Sequence, residues 1–505
     1  MPIQSKLDRS QLQFFALEQL VDSESLVRVV DLFCQCIDYE NLGFIIKGKS
    51  HEGKPAYETS TLTGIYIYGY LHKIRSCRLL ATACKVNSEL WWLTGMQRPS
   101  YKTISDFRKD NVDGFKHLFK AFTKFCMDLK LYGKTTVALD GSKFRAMNSK
   151  KNNYNIKKIN QHLDYIAHQK EDYLKTLDQQ DQLDKKLKEL QRREDKYTKL
   201  KDQLAQSGEK QISTTDPDAR ALPIKMSIVE IGYNLQSVVD DKHNLIVDYE
   251  VTNKNDFSAL APMALKAKQT LELKEGEQLT VLADKGYYSG KQIADCHQND
   301  IDTLVSPKSK GSKSKDPRVS KAKFNYNKSK DNYTCPKGKT LHRQGKVYTR
   351  HDGIGFKRYV GHWSECKHCP WVDICVSAGS QKASTGRMLN RSIYEDQMDD
   401  NDHEVAARKS EYRRRQAIVE HPFGTIKRQW GYTHTNLKGL EKVNGEFGLI
   451  LLCYNLKRVL SILGVKGLKE ALNCLYSQVT ALSLFMKHLT IMNLYSYHQP
   501  SQRIT

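Results

Sequence analysis

Two short runs of apolar and β-branched residues, Lys134-Thr-Thr-Val-Ala-Leu-Asp140 and Leu279-Thr-Val-Leu-Ala-Asp284, each end on an aspartate. Runs of this kind, with no polar alternation, read as strands buried on both faces, each delivering a carboxylate to the C-terminal edge of a covered sheet. The chain around them supplies further pieces. Gly232–Val239 and Asn244–Val251 form a strand pair about the turn Asp240-Asp-Lys-His243. Asp256–Leu271 has helical periodicity behind the cap candidate Asn255, a helix follows over Ser289–Asn299, and Asp302–Val305 is a last short strand.

Three strands, helix, strand, helix, strand, helix is the order of a ribonuclease H-like α/β core with a mixed five-stranded sheet. In that order the first and fourth strands are neighbours, so Asp140 and Asp284 are expected side by side. A third acidic residue, Glu420, lies in the helical segment Arg413-Arg-Arg-Gln-Ala-Ile-Val-Glu420-His-Pro-Phe-Gly-Thr-Ile-Lys427. Two unit charges about 4 Å apart repel by roughly 1 to 4 kcal/mol at effective dielectrics between water and a protein surface. Three converging carboxylates therefore call for divalent cations, and the chemistry such ions support is displacement at phosphorus.

Length and charge agree. At 505 residues the chain holds two to four domains, and a net charge of +23 points to a polyanionic partner. The N-terminus lacks an apolar signal core, and the apolar stretch Leu449–Tyr454 is far short of a membrane span, so the expectation is a cytoplasmic, nucleoid-associated protein with no membrane partner. The organisation read from pattern is a mainly helical domain over 1–130, the first part of the core over 131–305 with a charged helical hairpin inserted at about 156–206, a basic loop and Cys-rich insertion over 306–400, the second part of the core over 401–465, and a helical tail over 466–505. Ser100–Lys109 reads equally as a recognition helix or an ordinary bundle helix, with Ser100 a candidate N-cap. Phe447–Leu463 is expected to pack against the core. Of 12 cysteines, only Cys335, Cys366, Cys369 and Cys375 form a pattern. Structural zinc, reduced thiols and an iron–sulfur or redox pair all stay open there, with His342, His362 or His368 as substitute ligands.

Asp140-Gly-Ser-Lys143, Leu282-Ala-Asp284-Lys-Gly-Tyr-Tyr-Ser289 and Val419-Glu420-His-Pro-Phe-Gly-Thr-Ile-Lys427 resemble the acidic-triad (DDE) transposases of bacterial insertion sequences. The resemblance extends to Thr215-Asp-Pro-Asp-Ala-Arg220, the Cys-rich insertion, the N-terminal helices and Tyr454-Asn-Leu-Lys-Arg458. It implies that Asp140, Asp284 and Glu420 hold two Mg²⁺ or Mn²⁺ ions. Lys427 corresponds to a lysine that contacts DNA phosphate, and the partners implied are the terminal inverted repeats and target DNA, within a homodimer or larger synaptic complex. The family also places Tyr and Arg seven and four residues before the glutamate, where this chain has Arg413 and Gln416, with Tyr412 and Arg415 one step away. Tyr412, Arg413, Arg414 and Arg415 are candidate DNA contacts on that basis. The competing readings are a transposase-derived DNA-binding protein that no longer cuts and a general nuclease of the same fold.

Overall fold

The computed structural model describes residues 10, 14–47, 55–148, 150–175, 180–225, 228–307, 319–350 and 353–496. In chain order the elements are helices α1 (Leu26–Gln35), α2 (Thr59–Leu71), α3 (Cys77–Val86), α4 (Ser88–Thr94), α5 (Tyr101–Asp110) and α6 (Val112–Asp128), then strand β1 (Thr136–Arg145). A small pair, β2 (Asn153–Tyr154) and β3 (Ile212–Ser213), brackets the hairpin α7 (Ile156–Lys175) and α8 (Gln180–Ser207). Next come β4 (Arg220–Lys225), β5 (Ile228–Asp240), β6 (Ile246–Thr252), α9 (Leu260–Thr270), β7 (Leu279–Ala283), α10 (Gly290–His297) and β8 (Ile301–Val305). The Cys-rich insertion contributes β9 (Asn325–Asn327), β10 (Asn332–Thr334), β11 (Thr340–Thr349), β12 (Gly355–Gly361), α11 (Trp363–Cys366), α12 (Val372–Cys375), α13 (Ala378–Lys382) and β13 (Met388–Ser392). The chain closes with α14 (Glu395–Ala407), α15 (Lys409–Phe423) and α16 (Leu440–Ser496), the last broken at Gly464, whose φ of 69° is left-handed.

The main sheet has the order β4-β5-β1-β7-β8, with β6 also on β5. Leaving β4 aside, this is the 3-2-1-4-5 order of a ribonuclease H-like sheet. The expected five strands are joined by β4, which carries Pro223 and a register shift between Pro223 and Lys225. A proline lacks the ladder donor and sits at sheet edges, so the sequence pattern hid this strand.

The chain divides into two compact units, one comprising Met1–Gly133, Gly141–Lys254 and Glu420–Thr505, the other Lys134–Asp140 and Asn255–Val419. The first is built round α2, buried over Leu62–Tyr70 on every side, as a helix without a polar face must be. Buried side chains of α16 from Val443 to Leu472 pack with α6, α2, α1 and β6. By length and composition Leu440–Ser477 could cross a membrane, yet 56% of its most apolar window is buried inside the protein. Close approach is set by glycine: a Cβ on Gly445 would stand 2.4 Å from the Val112 carbonyl oxygen. Asp216 accepts from Tyr233 Oη at 2.7 Å and from Gly439 N at 3.1 Å, and Asp218 accepts from Leu440 N at 2.8 Å. The Thr215–Arg220 motif is thus the clamp on the N-terminus of α16, where anionic side chains also suit the helix dipole.

Within the same unit β5 lies so close to β1 that a Cβ on Gly232 would be 2.0 Å from the backbone oxygen of Phe144. Because a strand backbone cannot step aside as a side-chain tip can, Gly232→Ala is expected to cost about 1–3 kcal/mol or more, read as a lowered midpoint in thermal denaturation followed by circular dichroism.

The second unit carries β7 and β8, parallel to each other, and the first half of β1, parallel to β7. Buried Asn401 of α14 accepts from Val305 N at 2.9 Å and donates to Val305 O at 2.8 Å, closing the end of β8. In the first unit Asn455 of α16 treats Ile246 of β6 the same way, at 2.9 and 2.8 Å. Each buried amide satisfies backbone groups that an edge strand would otherwise leave unpaired.

Candidate active site

The register of β1 on β7 runs Thr136↔Thr280 to Leu139↔Ala283, so Asp140 and Asp284 are the next residues on two neighbouring parallel strands. Adjacent strands lie about 4.8 Å apart, which places the two carboxylates side by side, as the order of elements required. One detail differs from expectation. The strand does not stop at Asp140 but continues to Arg145, because Gly141–Arg145, poor in β-branched residues, are held from outside: Arg145 N donates to Thr433 O at 3.1 Å and Ala146 N to Ile231 O at 2.9 Å.

Asp284 leaves β7 into a tight turn. Its Oδ1 accepts from Gly286 N at 2.7 Å, fixing the side chain and leaving Oδ2 outside that bond. A Cβ at Gly286 would sit 2.8 Å from that same oxygen, so a larger residue there would displace the carboxylate. The same hypothetical atom would be 3.5 Å from Oδ2 of Asp256, a further carboxylate at this end of the sheet. The helical spacing of Asp256–Leu271 predicts Asp256 as the start of one long helix. In fact it opens a 3₁₀ turn, Asp256–Ser258, ahead of α9. The signal available was an acidic residue just past the third core strand.

Tyr287 is 1% exposed, and burial raises its hydroxyl well above the usual range, with the charges of Asp256, Asp140 and Asp284 adding to the rise and Arg415 opposing it. Arg415 Nη1 stands 3.9 Å from Asp140 Oδ1. Of the candidate basic residues on α15, Arg415 is therefore turned toward a site carboxylate. The start of its helix is tied down by Arg408, which pairs with Asp302 and donates to Glu411 Oε2 at 2.9 Å.

Asp140 and Asp284 belong to the second unit, whereas Glu420 opens a segment of the first. Glu420 and Arg415 share α15. Pro422 lies within that helix, and the backbone passes at once into a π-helical turn, Gly424–Gln429. The proline cannot donate, and its ring obstructs the preceding turn. On the π turn, Lys427 Nζ donates to Lys143 O at 2.7 Å and lies 4.2 Å from the Phe144 ring centroid. Among the described residues no group of three or more His, Cys, Asp or Glu side chains is drawn together tightly enough to hold a metal ion as it stands.

Two other sequence expectations are qualified. On α5 Ser100 is the N-cap, its Oγ accepting from Thr103 N at 3.1 Å, but Arg108 turns inward, 5% exposed, and donates to Tyr70 Oη at 2.9 Å. Arg108 is thus not on a face open to DNA. The basic loop falls mainly on residues 308–318, outside the described residues.

The mixed sheet sets two aspartates at adjacent parallel strand ends, and family comparison gives the class: a transposase DDE domain matches residues 229–456, and a transposase domain (DUF772) matches residues 15–110. The chain belongs to the DDE transposases of insertion sequences. The first match contains Asp284, Glu420 and Lys427, and Asp140 precedes it. None of the curated proteins compared with the chain matches it. A solved structure, the cryo-EM structure of piggyBac transposase synaptic complex with hairpin DNA, aligns over 97% of this chain and 86% of its own at 10% identity, with a TM-score of 0.33. At that score the likeness carries no argument.

Proposed function

We propose that the protein binds the terminal inverted repeats of its own insertion sequence, cleaves phosphodiester bonds there and joins the freed 3′-hydroxyl to target DNA. The observation that carries this reading is the placement of Asp140 and Asp284 at neighbouring strand ends in a chain of the DDE transposase family. Their carboxylate oxygens are hard donors suited to Mg²⁺ or Mn²⁺. In this reading Asp140, Asp284 and Glu420 hold two such ions. When bound, the ions lower the pKa of the attacking water or hydroxyl and neutralise charge on the leaving oxygen. The chain's own part is positioning. The Gly286 amide orients Asp284, and Arg415 offsets part of the negative charge at Asp140. Tyr412, Arg413 and Arg414 are proposed phosphate contacts, and residues 1–130 a reader of the element's ends. Synapsis of two ends calls for a dimer or larger assembly, acting in the cytoplasm on nucleoid DNA.

Lys427 is assigned to a backbone phosphate near the cut. Lys427→Ala is expected to weaken binding about equally on all end sequences and to reduce the slope of log affinity against log salt by about 1, measured by fluorescence anisotropy over a salt series.

The test of the whole reading uses labelled DNA carrying the element's terminal repeat, with Mg²⁺. Nicking at the repeat end and not on a scrambled end supports it. Binding without cleavage would indicate the non-cutting DNA-binding protein, and cleavage spread over any sequence the general nuclease.

A further inference from the structure

The Cys-rich insertion has its own antiparallel sheet, β13-β12-β11-β10-β9, over a small core of Val319, Phe324, Tyr333, Leu341, Tyr359 and Leu389. Its helical turns α11 and α12 are four residues each, too short to be stable alone, so something must fasten them to the sheet. The four patterned cysteines lie where such a fastening is needed. Cys335 follows β10, Cys366 ends α11, Cys369 occupies the turn between the two helices, and Cys375 ends α12. From these separate segments all four line one cavity of about 450 Å³, together with His368. Cys335 and Cys375 also border the small core.

Cys335-Pro-Lys-Gly338 forms a tight turn in which Gly338 N donates to Cys335 O at 2.8 Å, with φ of 78° at Gly338, and Lys339 N points at Cys335 Sγ at 3.3 Å. Around Cys366 the space is cleared by glycines: Cβ atoms on Gly361 and Gly386 would lie 3.5 and 3.0 Å from its Sγ. All four cysteines are free and partly exposed, unlike the buried Cys34, Cys36, Cys84, Cys126, Cys296 and Cys453.

We propose that Cys335, Cys366, Cys369 and Cys375 bind one structural Zn²⁺ that locks α11 and α12 onto the insertion sheet. A tetrahedral Cys₄ site has Zn–S bonds of about 2.3 Å and hence sulfurs about 3.8 Å apart. Holding the ion would require the four side chains to turn inward, since among the described residues no three ligating side chains stand close enough as placed. Binding releases the thiol protons and involves no redox change.

The experiment is metal analysis by plasma mass spectrometry of the full-length protein, purified without chelator from zinc-supplemented medium. About one zinc per chain is expected, falling to near zero in Cys369→Ser and unchanged in Cys474→Ser, an exposed cysteine outside the cluster. Should Cys369→Ser fail to fold, titration of the native protein with an organomercurial covers the case, since zinc should be released in step with modification of four thiols. A native protein without zinc, or one whose zinc stays bound after those thiols are blocked, overturns the proposal. Neither readout depends on DNA cleavage.

Discussion

Asp284→Asn should abolish specific end cleavage, lowering the rate by about 10²- to 10⁴-fold, while leaving end binding and the circular dichroism spectrum unchanged. The substitution is well chosen for this site. Asparagine keeps the size of the side chain and an oxygen able to accept the 2.7 Å bond from Gly286 N, so the turn after β7 should survive. What it removes is the negative charge and one hard metal donor. At 1.36 kcal/mol per decade, that range corresponds to about 3–5 kcal/mol of lost transition-state stabilisation, the scale on which a polarising metal acts. Asp140→Asn should behave alike, with the difference that Arg415 loses its anionic neighbour at 3.9 Å. Single-turnover cleavage of an end-labelled duplex at saturating protein separates the two quantities. Loss of binding in step with cleavage would mean that the carboxylates are structural.

The largest effect on stability is expected at Glu446. Its side chain, 1% exposed, accepts from Arg75 Nη2 at 2.6 Å and from Asn436 N and Leu437 N, each at 2.9 Å. Arg75, 8% exposed, has a further bond to His434 O at 2.9 Å and stacks 4.5 Å from the Tyr432 ring centroid. Glu446→Ala leaves a buried guanidinium without its counter-charge and orphans two amides, so a loss of about 3–5 kcal/mol is expected. Arg75→Met combined with Glu446→Leu should recover part of that loss, because the charges are then removed together, although Asn436 N and Leu437 N still lack their acceptor. Thermal denaturation of the single and double variants checks both statements. A Glu446→Ala protein melting like the native one would contradict this account of the pair.

The β-branched composition of 134–140 and 279–284 was enough to place two strands and their order, since burial on both faces leaves little else for such runs to do. The helical hairpin and the burial of Phe447–Leu463 followed from periodicity, and the N-cap at Ser100 from its place just before a helical pattern. Features made by single polar residues acting at a distance were not legible. Nothing in the local pattern distinguishes Asn401 and Asn455, which close strands 96 and 209 residues away, from solvent-facing amides on a helix. Arg108 looked like a surface cation in a basic stretch, because local spacing does not reveal that Tyr70 awaits it in the interior. Asp256 was concealed by a helix-like spacing that continues across the 3₁₀ turn into α9. The insertion strands escaped because their residues, such as Asn325-Tyr-Asn327 and Asn332-Tyr-Thr334, are short and rich in turn formers. The cysteine pattern, by contrast, already joined Cys335 to Cys366, Cys369 and Cys375, and the folded insertion brings all four to one cavity.

The central claim is that Asp140 and Asp284 act as metal-holding carboxylates, and metal rescue tests it most directly. Asp140→Cys would be assayed on a labelled end-bearing duplex in Mg²⁺ and then in Mn²⁺, beside the native protein. The account predicts no end cleavage by the variant in Mg²⁺ and partial recovery in Mn²⁺, which tolerates a sulfur ligand better than Mg²⁺ does. Native-like cleavage by Asp140→Cys in Mg²⁺ would contradict it.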